Sequence, residues 1–233
     1  MNRIDACNAL ISQLSGTTYL EIGVAQGNVI TKIDARRRLG VDPSPKPSSL
    51  EKQADIIYFE MPSDQFFSHH AVQLFTDSPV DVALIDGLHE YRQALRDVDN
   101  VLKYLAPGGV IIMHDCNPLT AVAGLPPADR AAYEQHRKEQ TTFQPNGPWE
   151  GDVWKAIVSI RSTRKDLKVF VLDCDHGLGF VTRGTPDSSL DYSAGDIDSL
   201  TFAEFDANRS SLINLKQPSY FEKFQAQLSN QRS

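Results

Sequence analysis

The chain has 233 residues, of which 41% are hydrophobic and 23% charged, enough for one ordinary globular domain with a sizeable core. Its formal net charge of -7 argues against a general nucleic-acid binder, which presents a basic face; Arg36-Arg37-Arg38 is the one dense basic run and reads as a solvated loop. Cys7, Cys116 and Cys174 lack framework spacing and suit reduced thiols; with no signal-peptide core and no apolar run near roughly 18 residues, the expectation is a soluble cytoplasmic protein without membrane contact.

Strand-like and helix-like segments alternate through roughly the first 180 residues, which predicts an α/β fold with a mostly parallel sheet covered on both faces. Thr17 to Ile22 is the first strand and runs into a glycine turn. Gly23 allows the sharp bend and Gly27 allows backbone to approach a ligand. Glu21, near the end of a buried strand, needs a partner, which a ligand's amino group or ribose hydroxyl would supply. The spacing is G-x-x-x-G rather than the dinucleotide G-x-G-x-x-G. Leu39 to Asp42 and Ile56 to Phe59 are the second and third strands, while Val80 to Ile85 and Val110 to Met113 have the apolar runs of central strands. Between these two, Tyr91, Leu95, Val98, Leu102 and Leu105 form one stripe of an amphipathic helix that Pro107-Gly108-Gly109 ends.

Pro118 to Pro148 holds several prolines and a polar helix, Asp129 to Glu139, and is a candidate lid. Val153 to Ile160 reads as a helix, and Val169 to Leu172 with Gly179 to Val181 as a hairpin closed by Asp175-His176-Gly177. Past Pro186 the chain is polar, with Phe202, Phe205, Leu212, Tyr220 and Phe221 expected to pack as short helices on the body or on a partner. The expected division is a domain over 1–185 and a helical extension over 186–233, which could serve as the arm of a homodimer.

Ligands of open parallel sheets bind beyond the carboxyl ends of the strands, where strand order reverses. Polar residues converge there: Glu21 and Gly23, then Asp42, then Ser63 and Asp64, then Asp86-Gly87-Leu88-His89, then His114-Asp115-Cys116-Asn117. Each has a plainer reading. Asp42 could start a turn, Ser63 and Asp64 could cap a helix, Asp86 could cap the helix that follows it, and His89 could be a surface residue. His114 and Asp115 follow a strongly apolar strand, where burial without purpose is costly.

The ordered set Glu21-Ile22-Gly23 with Gly27, Gly40-Val41-Asp42-Pro43, Ser63 to Phe67, Ile85 to His89, Pro107 to Val110, His114 to Pro118, Trp149 to Lys155 and Asp175 to Gly179 resembles class I S-adenosylmethionine-dependent methyltransferases. The nearest likeness is to the small bacterial branch, of methyltransferase-domain-24 type, associated with glycan and natural-product biosynthesis. The resemblance implies a three-layer Rossmann-like sandwich with seven strands in the order 3-2-1-4-5-7-6, one of them antiparallel. It implies that Glu21, Gly23, Val24 and Gly27 line the methionine end of S-adenosylmethionine, that Asp42 holds the ribose, and that Ser63 and Asp64 flank the adenine. Asp86 and Gly87 would lie near the transferable methyl group. The interval from Gly27 to Asp42 departs from the pattern, being too short for a full helix and strand, so the first crossover is expected to be stunted.

The implied reaction is methyl transfer to a small-molecule acceptor, a hydroxyl of a sugar or natural product. A histidine suits removal of the hydroxyl proton, with His89 as the expected base, His114 as the other candidate, and Asp86 and Asp115 as partners. Related O-methyltransferases hold magnesium on an acid after the fourth strand and an Asp-Asn pair after the fifth; Asp86 and Asp115 match two of these positions, but Cys116 takes the third. A thiol is a poor magnesium ligand, so magnesium is not the favoured expectation. Trp149 and Trp154 are read either as walls of an acceptor pocket or as packing residues. The rival readings are a non-catalytic S-adenosylmethionine-binding partner subunit and an NAD-type oxidoreductase.

Overall fold

A computed structural model describes residues 1–139 and 149–231. The elements in chain order are α1 (Arg3–Leu14), β1 (Thr18–Ile22), β2 (Arg37–Asp42), β3 (Ile56–Glu60), α2 (Ser63–His69), α3 (Ala71–Phe75), β4 (Val80–Ile85), α4 (Tyr91–Leu102), β5 (Leu105–Met113) and α5 (Arg130–Glu139). They continue through α6 (Trp154–Thr163), β6 (Leu167–Leu172), β7 (Leu178–Arg183), α7 (Ala194–Ser199), α8 (Phe202–Leu212), β8 (Leu215–Lys216) and α9 (Tyr220–Gln231). One sheet joins all the strands in the order β3-β2-β1-β4-β5-β7-β6-β8. Only β7 runs antiparallel to its neighbours. This is the expected Rossmann-like sandwich with one strand more than seven: Leu215 and Lys216 pair parallel with Val171 and Leu172. Two residues are too few to show any period, which is why the sequence pattern offers only helices there.

Alternation along the buried strands sends neighbouring side chains to opposite faces. In β4, Val82 and Leu84 face one layer while Ala83 and Ile85 face the other. The first layer is α1 and α9 with the Ile30–Lys32 turn; the second holds α2, α3, α4, α6 and α8. The stunted crossover is that single 3-10 turn. The N-terminal helix α1 is an addition to the expected elements, although its start is written in the sequence: Asn2 and Asp5 form a reciprocal capping box, and Ala6, Cys7, Leu10, Ile11 and Leu14 supply the buried stripe.

Three local expectations are corrected. Arg37 and Arg38 belong to β2 rather than a solvated loop; Arg38 is buried, pairs with Asp55 and donates to the Ile30 carbonyl at 3.2 Å. The β5 strand begins at Leu105, so Pro107-Gly108-Gly109 is an irregularity within the strand edge, where the register to β4 shifts between Val80 and Val82. The helix after β4 is capped by Glu90, which accepts from the amides of Arg92 and Gln93, and not by Asp86.

The apolar residues after Pro186 pack on the body. Phe205 is fully buried and stacks on Trp154 with ring centroids 4.3 Å apart, which makes Trp154 a packing residue. Phe221 and Phe224 lie against Phe180 on the opposite face. The stretch 118–148 is described only to Glu139, with a 3-10 turn at Pro127–Asp129 leading into α5; residues 140–148 of the candidate lid lie outside the described residues. Because Phe205 fills a site between layers, Phe205→Ala should lower unfolding stability by about 3–5 kcal/mol, seen as a shift in denaturant midpoint. A loss under about 1 kcal/mol would mean that the extension adds little to the core.

Candidate functional site

Strand order reverses between β1 and β4, and a cavity of about 810 Å³ opens at their carboxyl ends. Gly23, at φ +89°, sits where a Cβ would come within 2.0 Å of the Asp86 carbonyl oxygen, so no other residue fits this contact. The Asp86 amide donates to the Ile22 carbonyl at 2.8 Å and locks the two strand ends together. Of six non-glycine residues with positive φ among the described residues, four border this cavity: Ala25, Asp115, Asp175 and His176. Such clustering of unfavourable backbone marks a place where function can lie.

All the residues expected at the site meet here except Gly27, whose φ of +76° serves a turn packed against Ser49 and Leu50. Glu21 is buried, and its internal partner is Tyr19, whose hydroxyl donates to Glu21 Oε2 at 2.6 Å. Burial, aided by the charge of Asp86, pushes the Glu21 carboxyl up to about 8 against the opposing Tyr19 bond. Asp42 accepts from the amides of Ala25 at 2.9 Å and Ser44 at 2.8 Å. The turn-starting reading of Asp42 is therefore satisfied in part, while its carboxylate still lines the cavity beside Val24. Ser63 and Asp64 begin α2 without capping it, since Pro62 occupies the cap position. Gln93 bridges them to α4, donating to Ser63 Oγ at 3.1 Å, Asp64 Oδ1 at 3.4 Å and Asp97 Oδ1 at 3.1 Å.

At the other end of the cavity, four acids and four basic groups converge. His114 Nδ1 lies 2.9 Å from Asp115 Oδ1 and 3.2 Å from Asp86 Oδ1. His89 Nε2 lies 3.1 Å from Asp115 Oδ2 and 3.6 Å from Asp86 Oδ1, and its Nδ1 meets the Trp149 carbonyl at 2.9 Å. A carbonyl only accepts, so Nδ1 of His89 carries the proton and Nε2 is the basic nitrogen. Burial acts to lower the His89 pKa, but Asp86 and Asp115 outweigh it and raise it. For His114, burial is likewise outweighed by Asp115, Asp175 and Asp86, which favour its protonated form. Asp86 and Asp175, in turn, are held well below the usual carboxylate range: burial opposes this, but His114 leads the groups that overcome it in both, with His89 adding at Asp86 and Arg3 at both.

Three members of this group are not expected from sequence in the histidine-acid cluster: Glu150 reads there as the polar floor of an acceptor pocket, Asp175 as part of a hairpin link, and Arg3 has no site role. Arg3, at the start of α1, places Nη1 2.6 Å from His114 Nε2 and 3.1 Å from both oxygens of Asp175, and Nε 3.6 Å from Asp86 Oδ2. Asp175 comes from the β6–β7 hairpin. Glu150 is buried at 2% exposure, 3.3 Å from His176 Nδ1; burial first, then Asp115, pushes it up to about 8. Their separation from the other members in the chain, 172 residues for Arg3 and Asp175, leaves no local signal. Trp149 stacks on His89 at 5.0 Å, with the Arg130 guanidinium 4.7 Å from its ring.

The donors do not fit an oxygen-ligated magnesium ion on Asp86 and Asp115. Cys116 turns into the core toward the Met113 and His114 carbonyls. Asn117 is committed to Asp173 and Arg209. Asp86 already faces Arg3 and two imidazoles. Magnesium demands a nearly all-oxygen octahedron, which these positions lack.

Residues 20–116 match the family model described as a methyltransferase domain. No curated protein matches the chain. Among solved structures it is similar to the SAH-bound Podospora anserina methyltransferase PaMTH1, at 13% identity over 79% of this chain and 80% of that one, with a TM-score of 0.54. Cofactor-bound Rv0187 from MTB gives 13% identity, 77% and 78% coverage and a TM-score of 0.52. MycE from the mycinamycin biosynthetic pathway, in complex with Mg, SAH and mycinamycin VI, gives 16% identity and a TM-score of 0.45; 76% of this chain aligns with 47% of that one, so the chain spans about half the length of that relative. The first two likenesses show the fold alone.

Asp97 on α4 supplies a pH test of the cavity floor. Burial, opposed by Ser63 and Gln93, raises its carboxyl to about 6. The fold therefore favours the neutral acid: stability is present at low pH and falls as pH rises from about 4 through 6. Asp97→Asn should raise the melting temperature at pH 8, by at most about 3 kcal/mol of stability, with no gain at pH 4. Equal effects at both pH values would refute this assignment.

Proposed function

We propose that the chain, whose residues 20–116 match the model of a methyltransferase domain, is a class I S-adenosylmethionine-dependent enzyme that transfers a methyl group to a hydroxyl of a small molecule such as a sugar or natural product. The observation that carries this reading is the division of one cavity into two ends. Glu21 and Asp42 sit with the glycine turn at one end, and a histidine-acid group sits at the other, with Asp86 between them.

In this reading Glu21, Gly23 and Val24 seat the methionine part, with Gly27 shaping the turn behind them. Asp42 takes the ribose hydroxyls, Ser63 and Asp64 flank the adenine, and Asp86 and Gly87 border the methyl group. The fit rests on Gly23, Val24 and Asp42 lining one cavity; the place a Gly23 Cβ would take is filled by the Asp86–Gly87 backbone, which brings Asp86 to the edge of that cavity. When bound, S-adenosylmethionine supplies an electrophilic sulfonium methyl group. His89 Nε2 takes the proton from the acceptor hydroxyl, and the doubly protonated ring that results is the form Asp115 and Asp86 stabilise. Positioning supplies much of the rate, since in-line attack needs alignment more than charge. Residues 118–148 act as a lid in this proposal, with Arg130 and Trp149 forming the acceptor wall. The oxygen acceptor, as opposed to nitrogen or carbon, rests on the histidine-acid pair. In the same proposal the core domain spans 1–185, the protein works in the cytoplasm, and the extension joins two copies as a homodimer.

Two measurements test it. S-adenosylhomocysteine binding, followed by calorimetry, should weaken at least about tenfold in Asp42→Ala, a loss of about 1.4 kcal/mol; unchanged binding removes the proposed ribose contact. Release of S-adenosylhomocysteine against a panel of hydroxylated glycosides and phenols should fall about 10²- to 10⁴-fold in His89→Ala with cofactor binding intact. If His89→Ala and His114→Ala both keep near-normal turnover, the base assignment fails.

A further inference from the structure

Behind the cavity wall, the buried acid Glu150 keeps one oxygen without a partner. Glu150 is 2% exposed and its Oε2 meets no hydrogen-bond donor, while Asp115, also 2% exposed, faces His114 Nδ1 at 2.9 Å and His89 Nε2 at 3.1 Å. His176 approaches the same place, its Nδ1 3.3 Å from Glu150 Oε1. One ligand atom from each of Asp115, Glu150 and His176 falls within 4.8 Å of the other two. The nearby guanidinium of Arg209 directs its donors to Asn117, the Pro118 carbonyl and Asp206. Two desolvated carboxylates so close together repel each other, and a dication is the group that answers both.

The backbone holds these donors in place at some cost. Asp115 has φ 60° and His176 φ 64°. Gly151, directly after Glu150, has φ +68° and leaves only 1.9 Å between a built Cβ and the His89 carbonyl oxygen. The overlapping set Asp86, His89 and Asp115 is also compact, but Asp86 there already faces Arg3 and His114. The unpartnered oxygen of Glu150 singles out the other set.

We propose that Asp115, Glu150 and His176 form a site for a borderline divalent transition-metal ion, of the zinc or cobalt kind. Mixed imidazole and carboxylate donors select such ions over magnesium. Three protein donors leave coordination positions for water or a hydroxyl, and Asp115 and His176 both line the cavity. This inference goes beyond the methyl-transfer reading and stands without it.

The test uses the full chain, stripped with a chelator and dialysed, then titrated separately with cobalt, zinc and magnesium chlorides by calorimetry and visible absorption. One equivalent of cobalt should bind, with ligand-field bands that zinc displaces, and magnesium should bind at least about tenfold more weakly. Glu150→Gln and His176→Gln should each weaken cobalt binding by about tenfold or more. The His176 side chain is 37% exposed, so His176→Gln is expected to fold, which a thermal melt checks. Absence of stoichiometric cobalt binding, or unchanged affinity in both variants, overturns the site. S-adenosylhomocysteine titrated into the stripped protein separates the outcomes. Cofactor binding without metal binding refutes the metal site alone, and metal binding without cofactor binding refutes the cofactor seat alone.

Discussion

The contact between Gly23 and the Asp86 backbone sets the chemistry of the whole crevice. With 2.0 Å between a built Cβ and the Asp86 carbonyl oxygen, and the Asp86 amide just past β4 bonded to the Ile22 carbonyl of β1, two strand ends are pinned where the sheet reverses. Glu21 and Asp86 are thereby brought onto one cavity, and two like charges in a desolvated space cannot be answered in the same way. Glu21 is pushed toward its neutral form, while Asp86 stays ionised because His114, His89 and Arg3 surround it. Acids whose environments drive them apart are how one site comes to hold two roles.

Both chain ends take part in this arrangement. Helix α1 covers the first layer and delivers Arg3 to the acid cluster, and α9 lies against it through a 2.6 Å bond from Gln13 to the Gln225 carbonyl. On the other face, α8 lays Phe205 on Trp154 and sends Arg209 to Asn117, directly after the β5 residues of the site. The extension therefore touches the structure that carries His114 and Asp115.

The strands that frame the site were legible because central parallel strands are buried on both faces and read as apolar runs, as in Val110 to Met113 and, apart from Asp81, in Val80–Ile85. The rule that ligands meet strand ends then gathered Glu21, Asp42, Ser63, Asp86, His114 and Asp115 without any contact information. Partners that arrive from afar were beyond that rule. Arg3 stands in an N-terminal stretch that looked merely polar, and Glu150 sits in a loop whose burial depends on Gly151 pressing against His89. Arg38 shows the opposite failure: within a triple-arginine run its charge suggested solvent, whereas the strand period turns it inward to Asp55 and the Ile30 carbonyl. Local composition reports what a residue is made of; its partners are set by the tertiary fold.

His114 illustrates how those partners decide function. A guanidinium has no acceptor, so the 2.6 Å contact from Arg3 Nη1 requires Nε2 of His114 to be the unprotonated nitrogen, with the proton on Nδ1 toward Asp86 and Asp115. The three carboxylates around the ring favour a second proton, but placing it on Nε2 would set two N–H groups face to face. His114 can therefore gain that proton only if Arg3 withdraws, and Asp175, 3.1 Å from the same guanidinium nitrogen, is positioned to hold it. His89 meets no such barrier, because its Nε2 faces only carboxylates while the Trp149 carbonyl fixes Nδ1. Of the two histidines, His89 is the one free to accept a proton without rearranging its neighbours, and His114 is the one that ties the N-terminal helix to the acids beside it.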